Sequence, residues 1–184
     1  MVGHSSSAYE RELRSILEGE PQVVRKYSRS LPPPERGKLE RLIDHPFLII
    51  RAAGSLGFDL VALRREFAFP IEVKASADPV IRFSAASGRA NAQLEAHAEA
   101  VARVGLAVLY AYRRLGLRGE ESWRVYMAGE VPEWGVLRLI CRRLPQVSRT
   151  PEGNGILRWD DGMPLSAFLH QTLEVTRPLG RAGG

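Results

Sequence analysis

The run Pro70-Ile71-Glu72-Val73-Lys74 constrains this chain more than any other feature. A short apolar segment of this kind reads as a strand. Alternate side chains of a strand share a face, so Glu72 and Lys74 project the same way, roughly 6–7 Å apart along the strand. Ile71 and Val73 project the opposite way. An acid and an ammonium on one face of an apolar strand call for partners, because unpaired buried charge is costly. A second acid, Asp59, opens the preceding apolar run Leu60-Val61-Ala62. A hard divalent cation held by Asp59 and Glu72, with Lys74 beside a water, satisfies all three groups.

The 184 residues, 45% of them hydrophobic and 26% charged, suit one soluble domain with a sizeable core. That domain is expected over 1–175, with a flexible tail over 176–184. A net charge of +5 admits an anionic partner. Most of the positive charge is arginine, whose planar fork matches phosphate geometry. A solvated surface with a moderate positive excess fits the same number. The single cysteine, Cys141, rules out an internal disulfide and argues against a cysteine-based zinc site. No apolar run reaches membrane-spanning length, and residues 1–7 are polar with no apolar signal-peptide core. The expected location is the cytoplasm, with no membrane partner.

Ser7 and Glu10 have the spacing of a capping box, which predicts a helix over 7–18 with Leu13, Ile16 and Leu17 on its buried stripe. Residues 19–46 contain Pro32-Pro33-Pro34 and suggest a short helix over 34–43. Val23-Val24 fits either a short strand or a helical turn. Three strands over 47–52, 58–63 and 69–75 form a meander. Residues 76–90 read as a loop or mixed segment, 91–104 as a helix, 106–112 and 123–127 as strands, and 132–144 and 164–175 as helices. The whole is an α/β fold, a central mixed five-stranded sheet flanked by helices.

Phosphodiester hydrolysis needs charge neutralisation at the phosphate, an activated water and help for the leaving oxygen. Asp59 and Glu72 would bind Mg2+ or Mn2+, with the backbone carbonyl of Val73 as a further oxygen ligand. Lys74 would orient the water, and Glu10 would complete an outer shell through water. His4, His45, His97 and His170 are scattered and make no ligand pattern.

Four motifs now stand in order: Tyr9-Glu10-Arg11-Glu12-Leu13, Ile50-Arg51-Ala52-Ala53-Gly54-Ser55, Asp59-Leu60-Val61-Ala62 and Ile71-Glu72-Val73-Lys74. Together they resemble the archaeal Holliday junction resolvases, within the PD-(D/E)XK, restriction-endonuclease-like nucleases. The resemblance runs from residue 8 to about 75 and continues weakly through 93–112 and 164–173. It implies a homodimer in which each subunit nicks one strand of four-way junction DNA with Mg2+, leaving a 5′-phosphate and a 3′-hydroxyl. Glu10, Asp59, Glu72 and Lys74 fall on catalytic positions of the motif. Arg11, Arg51 and Ser55 fall on positions that organise substrate or active site. Residues 19–46 depart from the family, where this link is short, and stand as an insertion. The C-terminal half, rich in leucine and aromatic residues, is the expected dimer interface.

Ordinary structural roles compete for each of these residues. Glu10 fits a capping-box glutamate, Asp59 a turn-closing aspartate, and Glu72 with Lys74 a solvated strand face. Gln93 and His97 lie four apart on one helix face; the resemblance to these nucleases implies that Gln93 approaches the metal site, and a satisfied or exposed polar pair is the ordinary reading. Arg138, Arg142 and Arg143 suit DNA contact or plain solvation. A nuclease acting on other DNA structures, and a silent junction-binding protein, are the alternatives to a resolvase.

Overall fold

The computed structural model describes residues 6–52, 57–65, 67–83 and 89–175. Six strands form the main sheet in the order β1 (Leu48–Arg51), β2 (Leu60–Arg64), β3 (Phe67–Ser76), β5 (Val108–Arg114), β6 (Trp123–Ala128), β9 (Met163–Pro164). β1, β2 and β3 are the expected antiparallel meander, with Leu48 opposite Leu63 and Leu60 opposite Ile71. β3 and β5 run parallel, Glu72 opposite Tyr110 and Lys74 opposite Tyr112, so the sheet is mixed. The helix α4 (Arg89–Ala102) makes this parallel crossover.

Two differences from the expected five-stranded sheet are topological. The two-residue β9 adds a sixth strand by pairing Arg124 with Pro164, and the helix expected from 164 begins one residue later, as α6 (Leu165–Val175). A second, three-stranded sheet in the order β4 (Val80–Arg82), β8 (Gly155–Arg158), β7 (Ser148–Arg149) draws its first strand from the segment read as loop or mixed. The helix expected over 132–144 is only α5 (Gly135–Cys141).

Period-two burial divides the core between the two faces of the main sheet. Ile49, Leu60, Ala62, Phe67, Phe69, Ile71, Val73, Leu109 and Ala111 face α1 (Ser6–Leu17), α5 and α6. Tyr110, Tyr112 and Tyr126 face α4 and the small sheet, where Phe83, Leu94, Leu157 and Trp159 close a second cluster. Beyond that cover, Leu48 and Ile50 of β1 stay exposed. α1 already includes Ser7, so Ser7 is a helical residue and not the expected N-cap.

Residues 19–46 are part of the core. They form α2 (Pro21–Ser28) and α3 (Pro33–Glu40), each with proline in its first turn, where the missing N–H costs nothing. Val24, Tyr27, Leu31, Leu39 and Leu42 join the α1-side cluster. Gly19 ends α1 at φ +69°, and a Cβ there would lie 2.5 Å from the Leu42 carbonyl, so only glycine lets the segment return so closely. The Tyr27 hydroxyl donates to Glu121 Oε1 at 2.7 Å. The same carboxylate accepts the Ser166 N–H at 2.7 Å and the Ser166 hydroxyl at 2.6 Å. One buried acid therefore ties α2, the start of β6 and the first turn of α6 together.

Tyr27→Phe keeps the packing and removes a buried hydrogen bond to a charged acceptor. Urea unfolding should show a loss of about 1–2 kcal/mol. An unchanged midpoint would mean that the tie carries no stability.

Candidate active site

β3 outruns β2. Their pairing stops at Leu60–Ile71, and the Asp59 N–H makes the last contact, 3.0 Å to the Ile71 carbonyl. Two residues on, Val73 turns its N–H towards the β2 side with no β2 backbone opposite it. The Asp59 carboxylate fills that place: Val73 N–H donates to Asp59 Oδ2 at 2.7 Å. N–H and C=O of one strand residue project to the same edge, so the Val73 carbonyl lies on Asp59's side. The Val73 side chain packs into the α1-side core.

Glu72 and Lys74 occupy the other face, as the alternation requires. Lys74 Nζ meets Glu72 Oε1 at 2.5 Å, so the pair is joined and the face is not solvated. Glu72 is 4% exposed. Its second oxygen, Oε2, is buried and makes no hydrogen bond of 3.5 Å or less among the described residues, while Gln93 lies close enough to the carboxylate to favour its charged form. An acceptor left so is expensive, and its lone pairs are open to a cation.

Glu10 comes to the same end of the sheet from α1. Arg51, at the end of β1, reaches it across 4.0 Å. Arg11, the next residue on α1, is exposed. The structure thus brings Glu10, Arg51, Asp59, Glu72, Val73 and Lys74 together. Ser55 and the turn 54–56 lie outside the described residues.

Burial pushes Glu72 up from the usual 4.5 to about 7; Lys74 works against the rise and the Asp59 charge adds to it. Asp59 is also raised, first by burial and further by Glu10, while its hydrogen bond from Val73 and the charges of Lys74 and Arg51 oppose the shift. A crowd of acids that resists ionisation is the electrostatic condition a divalent cation relieves. Among the described residues no group of three or more His, Cys, Asp or Glu side chains is spaced to hold a metal. The donor set is two carboxylates and a main-chain carbonyl, all oxygen. Together with the buried Oε2, this set fits Mg2+ or Mn2+.

α4 supplies support that the motifs do not announce. Gln93 Nε2 donates to the Gly57 carbonyl at 2.9 Å, and the His97 ring lies 4.3 Å from that of Phe58. Gly57 has φ +76°, and a Cβ would lie 3.0 Å from His97 Nε2. Two side chains of one helix face thus hold the two residues before Asp59. His97 Nδ1 is 3.0 Å from the Tyr110 hydroxyl, beside Glu72 in the sheet register. His97 is buried, and its pKa is lowered by that burial. The four-residue spacing was legible; that the pair grips Gly57 and Phe58 was not. Arg138, Arg142 and Arg143 are exposed on and after α5, which follows the end of β6 remote from the site.

The chain matches no family model and no curated protein. Its structure is similar to that of Hjc, a Holliday junction resolvase from the archaeal hyperthermophile Archaeoglobus fulgidus, with a TM-score of 0.46 and 21% sequence identity over 73% of this chain and 91% of that one. So loose a likeness assigns neither family nor activity.

Folded, metal-free Glu72 gains its proton as pH falls through about 7, against about 4.5 for the unfolded chain. Between these values the native state binds more protons, so the stability this group contributes falls as pH rises. Thermal melts of the metal-free protein should decline across that window, and Glu72→Gln should flatten the decline. Mg2+ should raise the melting temperature above pH 7 in the parent protein and not in the variant. A parent melting curve indifferent to pH and to Mg2+ would contradict the assigned environment.

Proposed function

We propose that this protein is a metal-dependent, structure-selective DNA endonuclease that resolves four-way junctions by paired nicks as a homodimer. The observation that carries the nuclease reading is the buried Glu72 carboxylate, with one oxygen on Lys74 and the other making no hydrogen bond of 3.5 Å or less among the described residues, beside Asp59. Junction selectivity and the dimer rest on the four motifs in their order along the sequence.

Mg2+, held by Asp59, Glu72 and the Val73 carbonyl, would supply Lewis acidity and positive charge at the scissile phosphate. The chain's own groups do the remaining work. Asp59 is fixed by its bond from Val73 N–H, so its free lone pairs have one orientation. Lys74, about a quarter exposed, has its ammonium anchored on Glu72 and its remaining protons available. It donates to the attacking water or to a phosphate oxygen, favouring the charge that builds there. Glu10 orders water at the outer shell, and Arg51, anchored near Glu10, offers a fork to a neighbouring phosphate. Arg11 and Ser55 are assigned to substrate contact. Water attacks in line, the P–O3′ bond breaks, and the products are a 5′-phosphate and a 3′-hydroxyl.

The test compares a synthetic immobile four-way junction with a linear duplex of the same arms, with Mg2+ and with chelator. The parent protein should place symmetric nicks in the junction only, and only with Mg2+. Asp59→Asn should lower the rate by roughly a hundred- to a thousandfold or more while leaving junction binding unchanged or tighter. Metal-dependent cutting of both substrates would retain the nuclease and remove the selectivity. Equal cutting by Asp59→Asn would remove the site.

A further inference from the structure

A groove of about 460 Å3 opens at the same end of the sheet, between α1, α2 and the connection from β5 to β6. One wall is the α1 face Ala8, Arg11, Glu12 and Ser15, which recur at helical spacing. Arg11 lines this groove from α1, the helix that also carries Glu10. The opposite wall comes from the insertion, through Val23, Lys26, Tyr27 and Ser30. Arg113, from β5, forms the floor.

Its charges are arranged for an anion. Arg113 is held rigidly: Nε donates to Glu12 Oε2 at 3.1 Å, and its guanidinium carbon lies 5.9 Å from the ring centres of both Tyr9 and Trp123. Glu12 is thereby neutralised within the wall. Arg11 and Lys26 are exposed and make no ion pair among the described residues. Glu120, at the rim, is the remaining acid. Two cations without an ion pair among the described residues therefore line one groove from α1 and α2, at the end of the sheet where Glu10 and Arg51 meet. Tyr27, bonded to Glu121, anchors α2 to the start of β6.

We propose that this groove binds a backbone phosphate of the nucleic-acid strand next to the scissile phosphate, and that the insertion 19–46 serves to lengthen the substrate track by presenting Lys26. This rests on the nuclease reading above and adds a contact that the motifs do not contain. An ammonium at this position acts through charge and not base identity, so it contributes affinity without sequence preference.

The experiment measures binding of a short-armed synthetic four-way junction in chelator, at several salt concentrations, for the parent, Lys26→Ala, Lys26→Glu and Lys38→Glu. Lys38 is exposed on α3, outside the groove, and controls for net charge. Lys26→Ala should reduce the slope of log affinity against log salt by about one, and Lys26→Glu should weaken binding roughly tenfold. Lys38→Glu should behave as the parent. Parent binding with no difference between Lys26→Glu and Lys38→Glu would overturn the groove assignment and leave the nuclease reading intact. A parent protein that binds no DNA would overturn both.

Discussion

The site depends on one mismatch of strand lengths. β2 stops pairing at Leu60 while β3 continues to Ser76, so the Val73 peptide group needs a partner that β2 no longer provides. Asp59 supplies it through its side chain, 2.7 Å from the Val73 N–H. That single bond places the Asp59 carboxylate at the β2-side edge of β3, close enough to Glu72 for its charge to raise that group's pKa. A β2 longer by two residues would satisfy Val73 with backbone and leave Asp59 nothing to organise.

The rest of the molecule holds that mismatch in place. Val73 and Ile71 are sealed in the α1-side core, so β3 cannot slip by one residue without moving Glu72 into the apolar layer and Val73 out of it. Lys74 neutralises half of the Glu72 carboxylate. Burial leaves the other half resisting ionisation, with its pKa pushed up to about 7. The same low-polarity surroundings that make this oxygen costly would strengthen its hold on a cation. α4 stabilises the approach to Asp59 from the opposite face, and Glu121 fixes α2, which packs against α1.

Much of this was legible in the sequence because it follows strand period. The alternation at 71–74 gave the faces of Glu72 and Lys74, and the apolar runs flanking Asp59 gave the meander. Other features depend on contacts between distant segments. Asp59 and Val73 are 14 apart in sequence, and nothing in composition reports that one side chain completes the other's backbone. The helix expected over 34–43 is α3, marked by its first-turn proline, whereas α2 falls on a segment that fitted either a short strand or a helical turn. β7 and β9 are two residues each, too short for any pattern. Glu121 reads as one of several acids in a polar connection, and only its three hydrogen bonds mark it as buried structure.

The most direct measurement is a crystal of the protein soaked in Mn2+, with anomalous scattering collected at the manganese edge. An anomalous peak bonded to Asp59, Glu72 Oε2 and the Val73 carbonyl, at about the 2.0–2.2 Å expected of a small hard cation, is the predicted result. A well-ordered site with no peak there, and Glu72 Oε2 hydrogen-bonded to a protein group instead, would contradict the account.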